Sequence, residues 1–217
     1  MTPFRHYDGM IFTTQCAGCR TRGAVLCRTC RFALIARPGP GEVAAAGDVI
    51  VGASYTGRVR DVMLGYKYRN RRAVAAHLAG IVSNRVVAEL GPELGGVDVV
   101  TWAPTSTSHR RHRGFDQAEL VARHVAARLG LPCRRLLERE GATVQTGRSR
   151  AERLHRPRFR VHPRAAGASV LVIDDVVTTG ATLAAARGAL LRHGAVATRA
   201  AAVAATPACV IPAQRVA

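Results

Sequence analysis

The sequence predicts an open, mostly parallel α/β sheet with helices on both faces, preceded by a small four-cysteine module. Three observations predict it. Short β-branched runs alternate with stretches of helical periodicity, which implies parallel strands joined by right-handed crossovers. One run, Ser169 to Ile173, is apolar without interruption, as a strand covered on both faces must be. Four of the six cysteines crowd near the amino end. Apolar residues make up 48% of the 217, ample for a packed core and too many for wholesale disorder.

Taken in order, Cys16, Cys19, Cys27 and Cys30 form the first module, and Ala36 to Ala46, with Pro38, Gly39, Pro40 and Gly41, reads as a linker. The chain is therefore divided into residues 1–45 and 46–217. Val49 to Ser54 reads as a strand. Ala73 to Leu90 reads as a helix, because Val74, Leu78, Ile81, Val82 and Val86 recur at helical spacing. Val97 to Ala103 is a second strand. Asp116 with Glu119 resembles a capping box opening a helix whose Val121, Val125 and Leu129 share a face, ended by Gly130 and Pro132. Leu136 and Leu137 start another strand, and the charged stretch Gly141 to Pro163 reads as a long mobile loop or irregular hairpin. The run Ser169 to Ile173 ends at Asp174 and Asp175. A helix from about Thr182 to His193, stopped by Gly194, and a last strand over Val196 to Ala204 complete the pattern.

Two chemistries stand out. Where the buried strand ends, Asp174 and Asp175 offer adjacent carboxylates to which a vicinal diol donates hydrogen bonds. The following turn, Thr178, Thr179, Gly180, Ala181 and Thr182, supplies hydroxyls, a glycine for close backbone approach and the free N–H groups of a starting helix, which make a phosphate cradle. Together they describe a ribose 5-phosphate site. The bland reading is a capped helix whose nearby acids merely complement its dipole. The absence of Gly-Lys-Ser or Gly-Lys-Thr excludes a P-loop.

The second chemistry is the paired CxxC. Each pair wraps two thiolates around one tetrahedral ion, and four sulfurs suit Zn2+; the short gap between the pairs leaves an iron centre or redox pairs as alternatives. Cys133 and Cys209 read as buried small apolar groups.

The segment Val172 to Leu183 resembles the phosphoribosyl-pyrophosphate (PRPP) signature of type I phosphoribosyltransferases. Tyr55-Thr56-Gly57, Tyr66-Lys67-Tyr68, the stretch Arg113 to Leu120 and the paired CxxC narrow the resemblance to the ComF family of competence-associated, amidophosphoribosyltransferase-like proteins. It implies a type I phosphoribosyltransferase-like sheet behind a zinc module, with Asp174 and Asp175 on the ribose hydroxyls and Thr178 to Thr182 on the 5'-phosphate. It further implies a pyrophosphate loop at Ala103, Pro104, Thr105 and Ser106, and a closing loop carrying Arg148 and Arg153. Mg2+ would accompany PRPP. Here Thr101-Trp102-Ala103-Pro104 departs from the family's Val-Pro-Val-Pro-like run.

The formal charge of +18 attracts polyanions. Arg110, Arg111 and Arg113 form a basic patch directly after the pyrophosphate-loop candidates, fit to line an anion site or the start of a nucleic-acid groove. Aromatic residues, at 5%, are too few for a base-stacking platform, although backbone tracking remains open. The expected function is PRPP or ribose-phosphate binding with an accessory role in DNA uptake or single-strand processing. The expected partners are single-stranded DNA and a competence helicase or other DNA-uptake protein. Alternatives are an active transferase with an amine or base acceptor, and a zinc-dependent nucleic-acid or helicase adaptor with a vestigial nucleotide site. Met1 to Gln15 lacks the apolar stretch of a signal peptide, and Ala200 to Gln214 is too short and proline-broken to span a membrane, so a cytoplasmic chain is expected.

Overall fold

The computed structural model describes residues 14–38, 48–105, 114–140 and 157–207. Among the described residues six strands and five α-helices follow one another as α1 (Arg28–Ile35), β1 (Ile50–Ser54), α2 (Gly57–Tyr68), α3 (Ala75–Leu90), β2 (Val99–Trp102), α4 (Gln117–Leu129), β3 (Leu137–Arg139), β4 (Phe159–Val161), β5 (Ser169–Val177), α5 (Ala181–Arg192) and β6 (Ala197–Ala205). The main sheet has the order β1-β6-β5-β2 with every pair parallel, as the alternating pattern requires. β3 and β4 pair antiparallel in a separate ribbon, tied to the sheet edge where Val100 bridges Cys133.

Both faces of the sheet are covered, and the pleat sorts the side chains. Leu171, Ile173, Ala201 and Val203 point to a layer made of α2, α3, α4 and the cysteine segment; Val170, Val172, Ala200 and Ala202 point to α5 and the β3–β4 ribbon. The central strand β6 carries six alanines, so neither layer is held away from it. Close approach is also visible at Gly52 in β1, where a Cβ would lie 2.6 Å from the Val203 carbonyl oxygen and 3.1 Å from Ile81 Cγ2. Glycine is the only residue that fits there.

Several expectations are corrected. α2 was not anticipated, although Val59, Val62, Met63 and Tyr66 lie at i, i+3, i+4 and i+7 and are all buried. β5 does not end at the acid pair but runs through it to Val177, because β6 continues alongside and keeps pairing with it. The carboxyl end of the charged stretch forms β4, whose Phe159 and Val161 are buried against α5; residues 141–156, and with them Arg148 and Arg153, lie outside the described residues. Cys133 is half-buried against the core rather than enclosed by it, and Cys209 lies outside the described residues.

Residues Arg72–Leu90, among the described residues, are long and apolar enough to cross a membrane by length and composition alone. The stretch instead serves as a core helix: Leu78, Ala79, Val82 and Val86 are buried between β1, β6 and α4.

Candidate functional site

The site is made by a difference in strand length. Trp102, the last residue of β2, pairs with Ile173, and Ala103 N donates to the Ile173 carbonyl at 2.9 Å. β5 goes on for four more residues, flanked by β6 only. The Asp174–Asp175 pair therefore lies on a flank that β2 has vacated, at the carboxyl edge where ligands bind in open α/β sheets. The regular alternation also breaks here: Val176 packs with the α2–α3–α4 layer and Val177 with the other, so the pleat slips at the doublet.

Two acids held this close in a half-buried edge cannot both be charged cheaply. Asp175 is neutralised by Lys67 of α2, whose Nζ lies 3.0 Å from its carboxylate. Asp174 Oδ1 accepts from the Asp175 N–H at 2.7 Å. Burial, then the charge of Asp175, pushes the Asp174 carboxyl up to about 8, against the pull of that N–H and of Lys67. Both acids are partly exposed.

Directly beyond lie Thr178 and Thr179, both exposed, and then Gly180, at φ +72°, a conformation that favours glycine. Gly180 is the N-cap of α5 and has no side chain to cap it; Ala181 N donates to Thr179 Oγ1 at 3.4 Å. Ala181 and Thr182, in the first turn, are half-exposed. The amino end of α5 thus begins four residues beyond Val177, and the first N–H groups of a helix are the ones its own ladder leaves unpaired.

The opposite wall is the loop after β2. Ala103 and Pro104 are buried and Thr105 is half-buried, while Ser106, Arg110, Arg111 and Arg113 lie outside the described residues. Sequence reasoning read Asp116 as a helix cap, and it is one: Oδ1 accepts from Ala118 N at 3.1 Å and Glu119 N at 3.3 Å. Its second oxygen has a task that local sequence could not show, accepting from Thr105 N at 3.0 Å and so tying the loop to α4. Burial holds the Asp116 carboxyl above the usual carboxylate range. Tyr66 closes the floor, its hydroxyl donating to the Gln117 carbonyl at 2.7 Å and its ring meeting Phe115 edge-on at 5.7 Å. The Arg72 guanidinium stacks 4.5 Å above Phe115. Lys67 was visible in the Tyr66-Lys67-Tyr68 segment, yet nothing local to it points to residue 175.

The four thiols form a second centre. Their sulfurs all lie within 4.8 Å of one another, against an edge of about 3.8 Å in a tetrahedron of sulfurs 2.3 Å from a central metal. Cys27 N donates to Cys16 Sγ at 3.4 Å, and Cys19 Sγ lies 3.2 Å from Thr21 Oγ1. The Thr21 hydroxyl draws the Cys19 thiol down to about 6, whereas burial pushes Cys30 up to about 12. A positive ion at the centre stabilises all four as thiolates. The donor set fits a thiophilic four-coordinate metal.

A cleft of about 340 Å³ lined by Arg37, Asp48, Ile50, Arg85 and Glu89 shares no residue with either centre. It lies where β1 begins, at the end of the sheet away from the acid pair.

Residues 116–216 match the family described as phosphoribosyl transferase domain. At 29% identity over 140 residues, the chain is similar to DNA utilization protein YhgH of Salmonella typhi, and equally to that of Salmonella typhimurium; each match covers 59% of this chain and 59% of the relative. Among solved structures it is similar to glutamine PRPP amidotransferase from B. subtilis complexed with ADP and GMP, at 19% identity and a TM-score of 0.44, over 66% of this chain and 27% of that one. It is also similar to hypoxanthine phosphoribosyltransferase from Trypanosoma cruzi in complex with IMP, at 13% identity and a TM-score of 0.41, over 63% of this chain and 78% of that one. The protein carries a phosphoribosyltransferase-type domain behind a four-cysteine cluster. These similarities support the resemblance to the ComF family.

Proposed function

We propose that the carboxyl edge of the sheet binds PRPP or a related ribose phosphate, and that the protein serves DNA uptake or the processing of incoming single strands in the cytoplasm. The observation that carries the ligand reading is the acid pair on the vacated flank of β5, followed at once by the uncapped amino end of α5. In this reading Asp174 and Asp175 accept from the ribose hydroxyls. Thr178, Thr179, Gly180, Ala181 and Thr182 hold the 5'-phosphate, and Ala103, Pro104, Thr105 and Ser106 lie along the pyrophosphate. Arg148 and Arg153 close over it, and Arg110, Arg111 and Arg113 extend the positive field.

Zn2+ is the metal proposed for Cys16, Cys19, Cys27 and Cys30, where it supplies fold rather than chemistry, since four thiolates leave no open coordination position. Among the described residues Mg2+ has no comparable protein cage: Asp175 is paired with Lys67 and Asp174 is held toward its protonated form. It enters this reading only as the counter-ion of the pyrophosphate. The DNA role is supported by the name of the YhgH relatives and by the net charge of +18.

Calorimetric titration of PRPP with Mg2+ tests the ligand reading. Binding that disappears in the Asp174→Asn/Asp175→Asn double variant supports it, and a wild-type protein that gives no heat removes it. Release of pyrophosphate on adding amines or bases would mark a transferase. Affinity for single-stranded DNA should fall steeply with salt, and a flat response would count against the DNA role.

A further inference from the structure

Helix α2 touches both centres, on opposite faces. On one face Gly65 lies so close to the cysteine segment that a Cβ there would fall on the Ala17 carbonyl oxygen. Arg69, one turn on, donates from Nη2 to that same carbonyl at 2.8 Å and to the Asp61 carbonyl of its own helix at 2.9 Å. Arg71 Nη2 donates to Gln15 Oε1 at 2.9 Å. The segment so gripped is the one that carries the first thiols, for Ala17 follows Cys16 directly. Gly18 has no slack either: a Cβ there would lie 2.8 Å from Cys30 Sγ and 2.9 Å from Val62 Cγ2 of α2.

Lys67 stands midway between Gly65 and Arg69 in sequence, about 200° around the helix from both, at 100° per residue. That rotation turns it away from the cysteines and toward the sheet edge, where it meets Asp175 at 3.0 Å. A helix turn is a stiff spacer. What fixes Gly65 and Arg69 on one side fixes Lys67 on the other.

The geometry points to Lys67 as a positioning residue of the sugar-phosphate site, set in place by the metal-held cysteine loop, so that metal loading and ligand affinity are linked through α2. The inference rests on the ribose-phosphate reading of the acid pair and on the metal fit of the four thiols. Residues 14–38 bury too few apolar side chains, chiefly Ala17, Leu26 and Leu34, to keep their shape without the metal. When that loop loosens, α2 loses its backstop at Ala17, and the ion pair that keeps Asp175 aimed at the ligand edge loosens with it. Linkage is reciprocal, so bound ligand must tighten the hold on the metal by the same factor.

The test uses the full chain, loaded with Zn2+ and after removal of Zn2+ by a chelator, with circular dichroism to confirm that both are folded. PRPP with Mg2+ is expected to bind the stripped protein at least about fivefold more weakly. Competition with a chromogenic chelator is expected to show Zn2+ affinity rising by that same factor when PRPP is saturating. Arg69→Ala leaves the thiols and the acids untouched, and is expected to weaken PRPP binding with the Zn2+ stoichiometry unchanged. Lys67→Met should weaken it further, and Lys67→Arg should restore most of the loss. Equal PRPP affinity in the loaded and stripped proteins, or in Lys67→Met and wild type, would overturn the coupling while leaving the ligand site standing. If stripping unfolds the chain, the Arg69 and Lys67 variants decide in the same way. A loaded wild type that binds no PRPP overturns the ligand reading itself, and the coupling with it.

Discussion

The cysteine loop and the strand-end acid pair both crowd groups that repel one another when charged, and they are assembled in opposite ways. The four sulfurs come from one stretch of chain, Cys16 to Cys30, and converge on a single point. The acid site gathers Lys67, Ala103 to Thr105, Asp116 and Asp174 to Thr182, which only the finished sheet brings together. In the first centre a bound ion would relieve the repulsion. In the second it is relieved internally, by an ammonium on one acid and a retained proton on the other. The lesson is that a local centre depends on its ligand for shape, whereas a centre built on a sheet edge has its shape already.

That contrast can be broken most forcefully at the thiols. Cys30→Ala, or removal of the metal, is expected to lower stability by more than about 4 kcal/mol, the class of loss that follows destruction of a metal site, read by thermal unfolding alongside Zn2+ stoichiometry. Asp175→Asn should do the reverse, leaving the thermal midpoint nearly unchanged while weakening PRPP binding about tenfold or more, or ~1.4 kcal/mol. If the thiol variant melts like wild type, the two centres do not differ in the way described.

Asp174→Asn sharpens the comparison through pH. A carboxyl raised from 3.8 to about 8 in the fold keeps a proton that the unfolded chain has lost, so wild-type stability falls as pH rises from about 4 to about 8. The amide has no such slope, and at pH 8 it should be more stable by about 1–2 kcal/mol, measured by denaturant titration at several pH values. Asp116→Ala is expected to cost about 1 kcal/mol for the lost cap of α4, with weaker PRPP binding as Thr105 comes free. Glu119→Gln, which removes only the exposed pair with Arg123 at 2.8 Å, should change stability by less than about 0.5 kcal/mol.

The same contrast explains what was legible in the sequence. Spacing alone marked the four thiols, and the strand-acid-acid-turn-helix order marked residues 174–182 as a candidate, because each is written within a few neighbouring positions. Asp116 was legible as a cap for that reason, but its bond to Thr105 N was not, since it depends on where β2 delivers its loop. Lys67 is the clearest case: its partner lies more than a hundred positions away. α2 was missed for a different cause. Its arginines and glycines masked a regular apolar spacing at Val59, Val62, Met63 and Tyr66 that a count of positions would have caught. The over-run of β5 past Ile173 was hidden because two acids look like the end of a strand until β6 is seen beside them.

The methyl groups of β6 carry one more implication. A strand of alanines at the middle of the sheet has no rotamers to adjust, so it acts as a shim of fixed thickness between the two helical layers. Ala202 pairs with Asp174 and faces the α5 layer. A bulkier residue there has nowhere to fold away and must lift α5, shifting the threonine bend relative to the acids. The outer rim of the sheet is thus tuned from its interior, at a position that carries no polar side-chain atom.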